Sequence, residues 1–98
     1  MTGKKTTNET WVYVAVEDPG SHEKFMGLYD EKTRLSYIPA FKEKEAALAC
    51  MLNLPRREGK KYEVHAIMLD HLAEDARNNG FLIFMLDAEG RILEQIEP

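Results

Sequence analysis

The chain has 98 residues, 44% of them apolar and 31% charged, with a formal net charge of −4 at pH 7. That length fits one domain and the composition is that of a folded chain, while the acidic balance argues against nucleic acid, whose binding depends on neutralising phosphates with Lys and Arg. One cysteine rules out an internal disulfide framework, and the longest apolar run, Ala46–Leu52, is far short of the ~20 residues of a membrane helix.

Met1–Glu9 is polar and carries no apolar signal-peptide core. We expect a flexible N-terminal tail over residues 1–9, a single domain over 10–98, and a cytoplasmic location. Thr10–Val16 (TWVYVAV) is β-branched and aromatic and predicts the first strand. Its alternation puts Trp11, Tyr13 and Ala15 on one face and Val12, Val14 and Val16 on the other, so both faces are apolar. Glu17–Lys24 (EDPGSHEK) reads as a loop through its Pro19-Gly20 pair. Phe25–Tyr29 and Arg34–Ile38 then read as two short strands closed by Asp30–Thr33, with Pro39 ending the second because it has no ladder N–H.

Lys42–Leu54 predicts the first helix from its helix-favouring alanines. Ala47, Cys50, Met51 and Leu54 recur at three- and four-residue spacing as an apolar stripe that Leu48 and Leu52 widen. Phe41 is placed to pack on the first turns, and Pro55 stops the helix. Arg56–Lys61 (RREGKK) is a charged loop, and Tyr62–Leu69 a further strand. Asp70 is suited to cap a short helix over Leu72–Asn78, and Gly80 to the left-handed position beyond its end. Phe81–Leu86 (FLIFML) is an interior strand, Asp87–Gly90 a turn, and Arg91–Ile96 the last strand. The order β-β-β-α-β-α-β-β describes an α+β domain: a two-layer sandwich with a mostly antiparallel sheet of about six strands and two helices on one face.

The segments FKEKEAALACML and YEVHAIMLDHLAEDARNNGF, followed by a closing hairpin that ends in proline, give the chain a resemblance to known domains. It resembles a small family of uncharacterised bacterial domains well represented in cyanobacteria. More distantly, it is similar to the SseB-like N-terminal domain associated with secretion chaperones. The positions that carry the likeness are Phe41, Ala46, Leu52, Asp70 and the Gly80-Phe81 pair. The resemblance implies the same fold and a lean toward protein interaction, with no enzymatic activity attached.

The residues themselves offer little chemistry. Cys50 falls late in its helix on the apolar stripe, where the helix dipole opposes a thiolate, so it reads as a core residue. His22, His65 and His71 form no paired metal-ligand spacing with one another or with Cys50. Carboxylate clusters such as Glu17-Asp18 and Glu74-Asp75 read as a solvated surface. No catalytic residue, metal or cofactor is therefore expected. Arg56, Arg57, Lys60 and Lys61 make the most basic patch of an acidic chain, suited to an acidic partner or, more plainly, to a solvated loop.

The chain's aromatics outnumber what two helices on one sheet face can cover. The second face therefore asks for a cover, and a protein partner or a second copy supplies it most simply. The expected function is a non-enzymatic protein-interaction domain, with a homodimer formed through the sheet. Its candidate surface comprises Trp11, Tyr13, His22, Arg56, Arg57, Lys60, Lys61 and His65. A small-ligand-binding or regulatory domain, its ligand between sheet and helices or beneath the EDPGSHEK loop, is the alternative. A small enzyme using a carboxylate with histidine, or Cys50, comes third.

Overall fold

A computed structural model describes residues 10–20, 24–52 and 59–98. The elements in chain order are β1 (Trp11–Glu17), β2 (Lys24–Phe25), β3 (Leu28–Asp30), β4 (Leu35–Phe41), α1 (Lys44–Met51), β5 (Tyr62–Met68), α2 (Leu69–Asn79), β6 (Leu82–Leu86) and β7 (Ile92–Ile96). The expected tail over residues 1–9, His22, and Arg56 and Arg57 lie outside the described residues.

All seven strands join one open sheet. β1 is its hub. Every residue of β1 from Trp11 to Glu17 pairs antiparallel with β5. Its other edge is shared: Tyr13 and Val14 pair with Phe41 and Ala40 of β4, whereas Val16 and Glu17 pair with Phe25 and Lys24 of β2. β4 meets β3 in the same way, through Leu35–Tyr37, before it reaches β1. Strands β1 and β4 thus diverge like a fork, and the 24–30 segment fills the opening. β6 lies parallel to the far edge of β4, and β7 closes that side as an antiparallel edge strand.

The fork explains two departures from expectation. The strand expected over Phe25–Tyr29 is split at Met26-Gly27, because its first half pairs with β1 and its second with β4. Pro39, expected to end its strand, lies inside β4. On the fork edge, β3 pairs with residues up to Tyr37 and β1 with Ala40 and Phe41, so residues 38 and 39 face neither ladder. A missing N–H at Pro39 therefore breaks no pairing there.

The α+β sandwich is as expected, with its two helices on opposite faces of the sheet rather than on one. Strand alternation sends Val12, Val14, Val16, Ile38, Ala40, Ile83 and Met85 to one face, where Leu72 and Ala76 of α2 join them in one buried cluster. Phe41, Phe84 and Leu86 point the other way and meet Ala47 and Cys50 of α1. Each face thus carries one helix. Among the described residues the two-sided apolar character of β1 and β6 is met within the chain by a helix on each face.

Helix boundaries shift for local reasons. α1 begins at Lys44, after Glu43 in extended conformation, and buries Ala47, Cys50 and Met51 as the stripe requires. Leu48 and Leu52 instead remain 49% and 75% exposed, so the stripe is narrower than expected. Phe41, 1% exposed, packs against α1 as anticipated. α2 follows β5 directly: Met68 is its N-cap residue, and Asp70 lies inside the first turn, where a carboxylate complements the dipole without capping. Gly80 ends α2 at φ +77°, its N–H donating to the carbonyls of Ala76 and Arg77. The last turn holds as expected, since Asp87 Oδ1 accepts from the N–H groups of Glu89 and Arg91 at 3.0 and 2.9 Å.

Candidate functional site

A concavity opens at the fork. The 24–28 segment, strand β5 and the C-terminal half of α2 enclose an open groove of about 840 Å3. Its floor is apolar. Val16 and Ile38 are buried beneath it at 3% and 1% exposure, while Phe25, Ile67 and Phe81 are partly exposed along it. Gly27 sets how close the segment approaches the helix end: a Cβ there would lie 2.8 Å from Cε1 of the Phe81 ring. Any side chain at this position must displace that ring.

The polar residues along the groove come from four elements: Glu17 from β1, Lys24 from β2, Tyr62 and His65 from β5, and Asp75 and Asn79 from α2. The helical pair is one turn apart, on one side of α2. Asn79 is anchored by its own amide, whose Nδ2 donates to the carbonyl of Asp75 at 2.9 Å. Among the described residues no protein group holds the Asp75 carboxylate. His65 is oriented by Glu63, two residues back on the same face of β5, with Nε2 3.0 Å from Glu63 Oε1. Among the described residues the lining includes no serine, threonine or cysteine.

A charged knot lies where β1 ends. Asp18, at φ +53°, exchanges backbone contact with Lys61: its N–H donates to the Lys61 carbonyl at 2.7 Å. Lys60 Nζ is 3.0 Å from Asp18 Oδ2 and 3.8 Å from Oε2 of Glu17, which is 5% exposed. The hydrogen bond from Lys60 is the largest influence holding Asp18 below the usual carboxylate range, and the more distant charge of Lys24 adds to it. The two lysines singled out from the sequence thus fasten the β1 and β5 ends to each other, a structural task for part of RREGKK.

The other residues singled out do not converge. Trp11, 55% exposed, begins β1 opposite Met68. Tyr13, half-buried, packs in the α1-side cluster. His65 lies on the α2 side, in register with Val14. Cys50 is 2% exposed, and burial, reinforced by the charge of Asp87, pushes its thiol pKa up. A buried thiol with a raised pKa is a poor nucleophile. Among the described residues no three His, Cys, Asp or Glu side chains are placed to hold a metal ion, and no helix is long and apolar enough to cross a membrane.

Sequence reasoning offered a ligand between sheet and helices and singled out His65, but not the other residues of this groove, because they are far apart in the chain and ordinary in type. Only the four-residue spacing of Asp75 and Asn79 and the tolerance for Gly27 between two apolar neighbours gave any local sign of it. Comparison with known proteins finds no matching family model, no matching curated protein and no matching solved structure.

Proposed function

We propose that the chain is a small-ligand-binding domain whose ligand occupies the groove between α2, β5 and the 24–28 segment. The observation that carries this is the groove itself. Ligand sites are concave, mostly apolar with a few convergent polar groups, and about 300–1,000 Å3 in volume. The groove's volume of about 840 Å3 falls in that range, and its apolar floor residues Val16, Ile38 and Ile67 lie beside the polar residues Lys24, His65, Asp75 and Asn79. A thermal-shift screen of small metabolites tests it. A ligand that binds only the folded state adds about 2.7 kcal/mol at a hundredfold excess over its Kd. That increase must disappear when Ile67→Trp fills the groove or Gly27→Ala displaces Phe81. A library without effect, or hits indifferent to both variants, contradicts the reading.

A second reading, protein interaction by self-association, is favoured by the sheet edge rather than by a sheet face. Among the described strands β7 pairs only with β6, and its Ile92 and Leu93 are 56% and 57% exposed. An edge strand with exposed apolar side chains offers backbone groups to another strand. Sedimentation velocity across a concentration series tests this: a dimer that Leu93→Lys dissociates supports it, and a monomer at every concentration contradicts it.

A further inference from the structure

We infer that the groove selects a ligand with an organic ammonium head and an apolar, preferably aromatic, body. The inference rests on the reading of the groove as a ligand site and specifies its chemistry. Three of the polar side chains along the groove offer acceptors. Asp75 presents a carboxylate with no protein partner among the described residues. Asn79, one helical turn later, uses its Nδ2 to donate to the Asp75 carbonyl and so leaves Oδ1 to accept. In the neutral imidazole of His65 the proton lies on Nε2, donating to Glu63, and Nδ1 is then an acceptor.

The ammonium among the described lining residues, that of Lys24, lies within the field of Asp18, on the strand residue paired with Glu17. A carboxylate ligand entering beside α2 meets acceptors and a like charge. An ammonium there finds charge-assisted hydrogen bonds instead. The partly exposed rings of Phe25 and Phe81 add to the same preference, because aromatic faces attract cations and repel anions. The apolar floor, with Val16 and Ile38 beneath and Ile67 beside them, takes the body of such a ligand without asking anything polar of it.

Three probes of one length separate the possibilities: phenethylammonium, its neutral counterpart phenethyl alcohol, and the anion hydrocinnamate. Binding is followed by calorimetry and by amide chemical shifts of the full chain. The ammonium is expected to bind most tightly, with shifts at Phe25, Ile67, Asp75 and Asn79. Asp75→Asn, a near-isosteric change at a partly exposed site, is expected to weaken it about tenfold, as loss of one charged hydrogen-bond partner does. Asn79→Leu provides a second, independent loss of an acceptor. If hydrocinnamate binds the same residues as tightly as the ammonium, the chemistry assigned here is wrong while the groove as a ligand site stands. If phenethylammonium gives no shifts at millimolar concentration, or binds Asp75→Asn unchanged, the inference is overturned as well.

Discussion

Leu72→Ala measures how firmly α2 is held to its face of the sheet, and thereby how well one wall of the groove is fixed. Leu72 is 0% exposed and lies among Val12, Val14, Ile83 and Met85. The substitution removes roughly three methylene equivalents at about 0.8 kcal/mol each. The unfilled space raises the total to about 3–4 kcal/mol. A domain of this size loses about 4–8 °C of Tm per kcal/mol, so Tm falls by roughly 12–30 °C. Leu48→Ala is the control. It deletes the same atoms from α1, but Leu48 is 49% exposed. The loss there is below about 1 kcal/mol, because no cavity is left and alanine is the better helix former. Urea titration followed by circular dichroism reads both, as a change in midpoint at unchanged slope. Equal losses in the two variants, or a loss below about 1 kcal/mol for Leu72→Ala, refute the assignment of buried faces. The double variant Cys50→Ala/Leu72→Ala extends the test: its sites lie in separate clusters on opposite faces, so the two losses add to within about 0.5 kcal/mol.

The Cys50 thiol is expected to react with a maleimide only on unfolding, and labelling of the native chain at neutral pH contradicts its burial. Burial raises the pKa of Cys50 and also of Tyr37, where the charge of Asp30 contributes next. Groups raised in the folded state contribute stability that is complete below their ordinary values and lost as pH climbs through the raised ones. The urea midpoint therefore declines above about pH 9, where thiols and phenols ordinarily titrate, and Cys50→Ala/Tyr37→Phe flattens the decline. At the acid end, the Lys60 hydrogen bond depresses Asp18, and the Arg91 backbone N–H is the largest influence depressing Asp87. Their contribution is present above the ordinary carboxylate pKa and disappears as pH falls through the depressed values. Asp18→Asn/Asp87→Asn accordingly shows a shallower acid limb than the parent. Gly80→Ala forces a side chain into φ +77° and costs about 1–2 kcal/mol, readable as a lowered urea midpoint.

Local chemistry in the sequence located most of the elements. The alternation in TWVYVAV, the alanines before Cys50, the Asn79-Gly80 stop and the Asp87–Gly90 turn each act over a few residues, and each is found where the sequence put it. What the sequence hid is non-local. Whether α1 and α2 cover the same face depends on how the chain crosses from β4 through β5 to β6. The same apolar pattern in β1 serves a dimer interface or two intramolecular helices equally well. Pro39 is a strand breaker by local rules, and only the fork between β1 and β4 gives it a harmless place. The groove has the same origin: Gly27 and Phe81 become neighbours through the sheet, and nothing in either segment announces the other.

Amide chemical-shift mapping of the isotopically labelled chain against hits from a metabolite screen tests the central claim most directly. The account predicts shifts confined to Lys24–Leu28, His65–Ile67 and the stretch Asp75–Phe81 at and just beyond the end of α2, lost in Ile67→Trp. Shifts centred on Trp11, on the Ile92–Ile96 edge or on the outer side of α1, with the groove residues unmoved, contradict it.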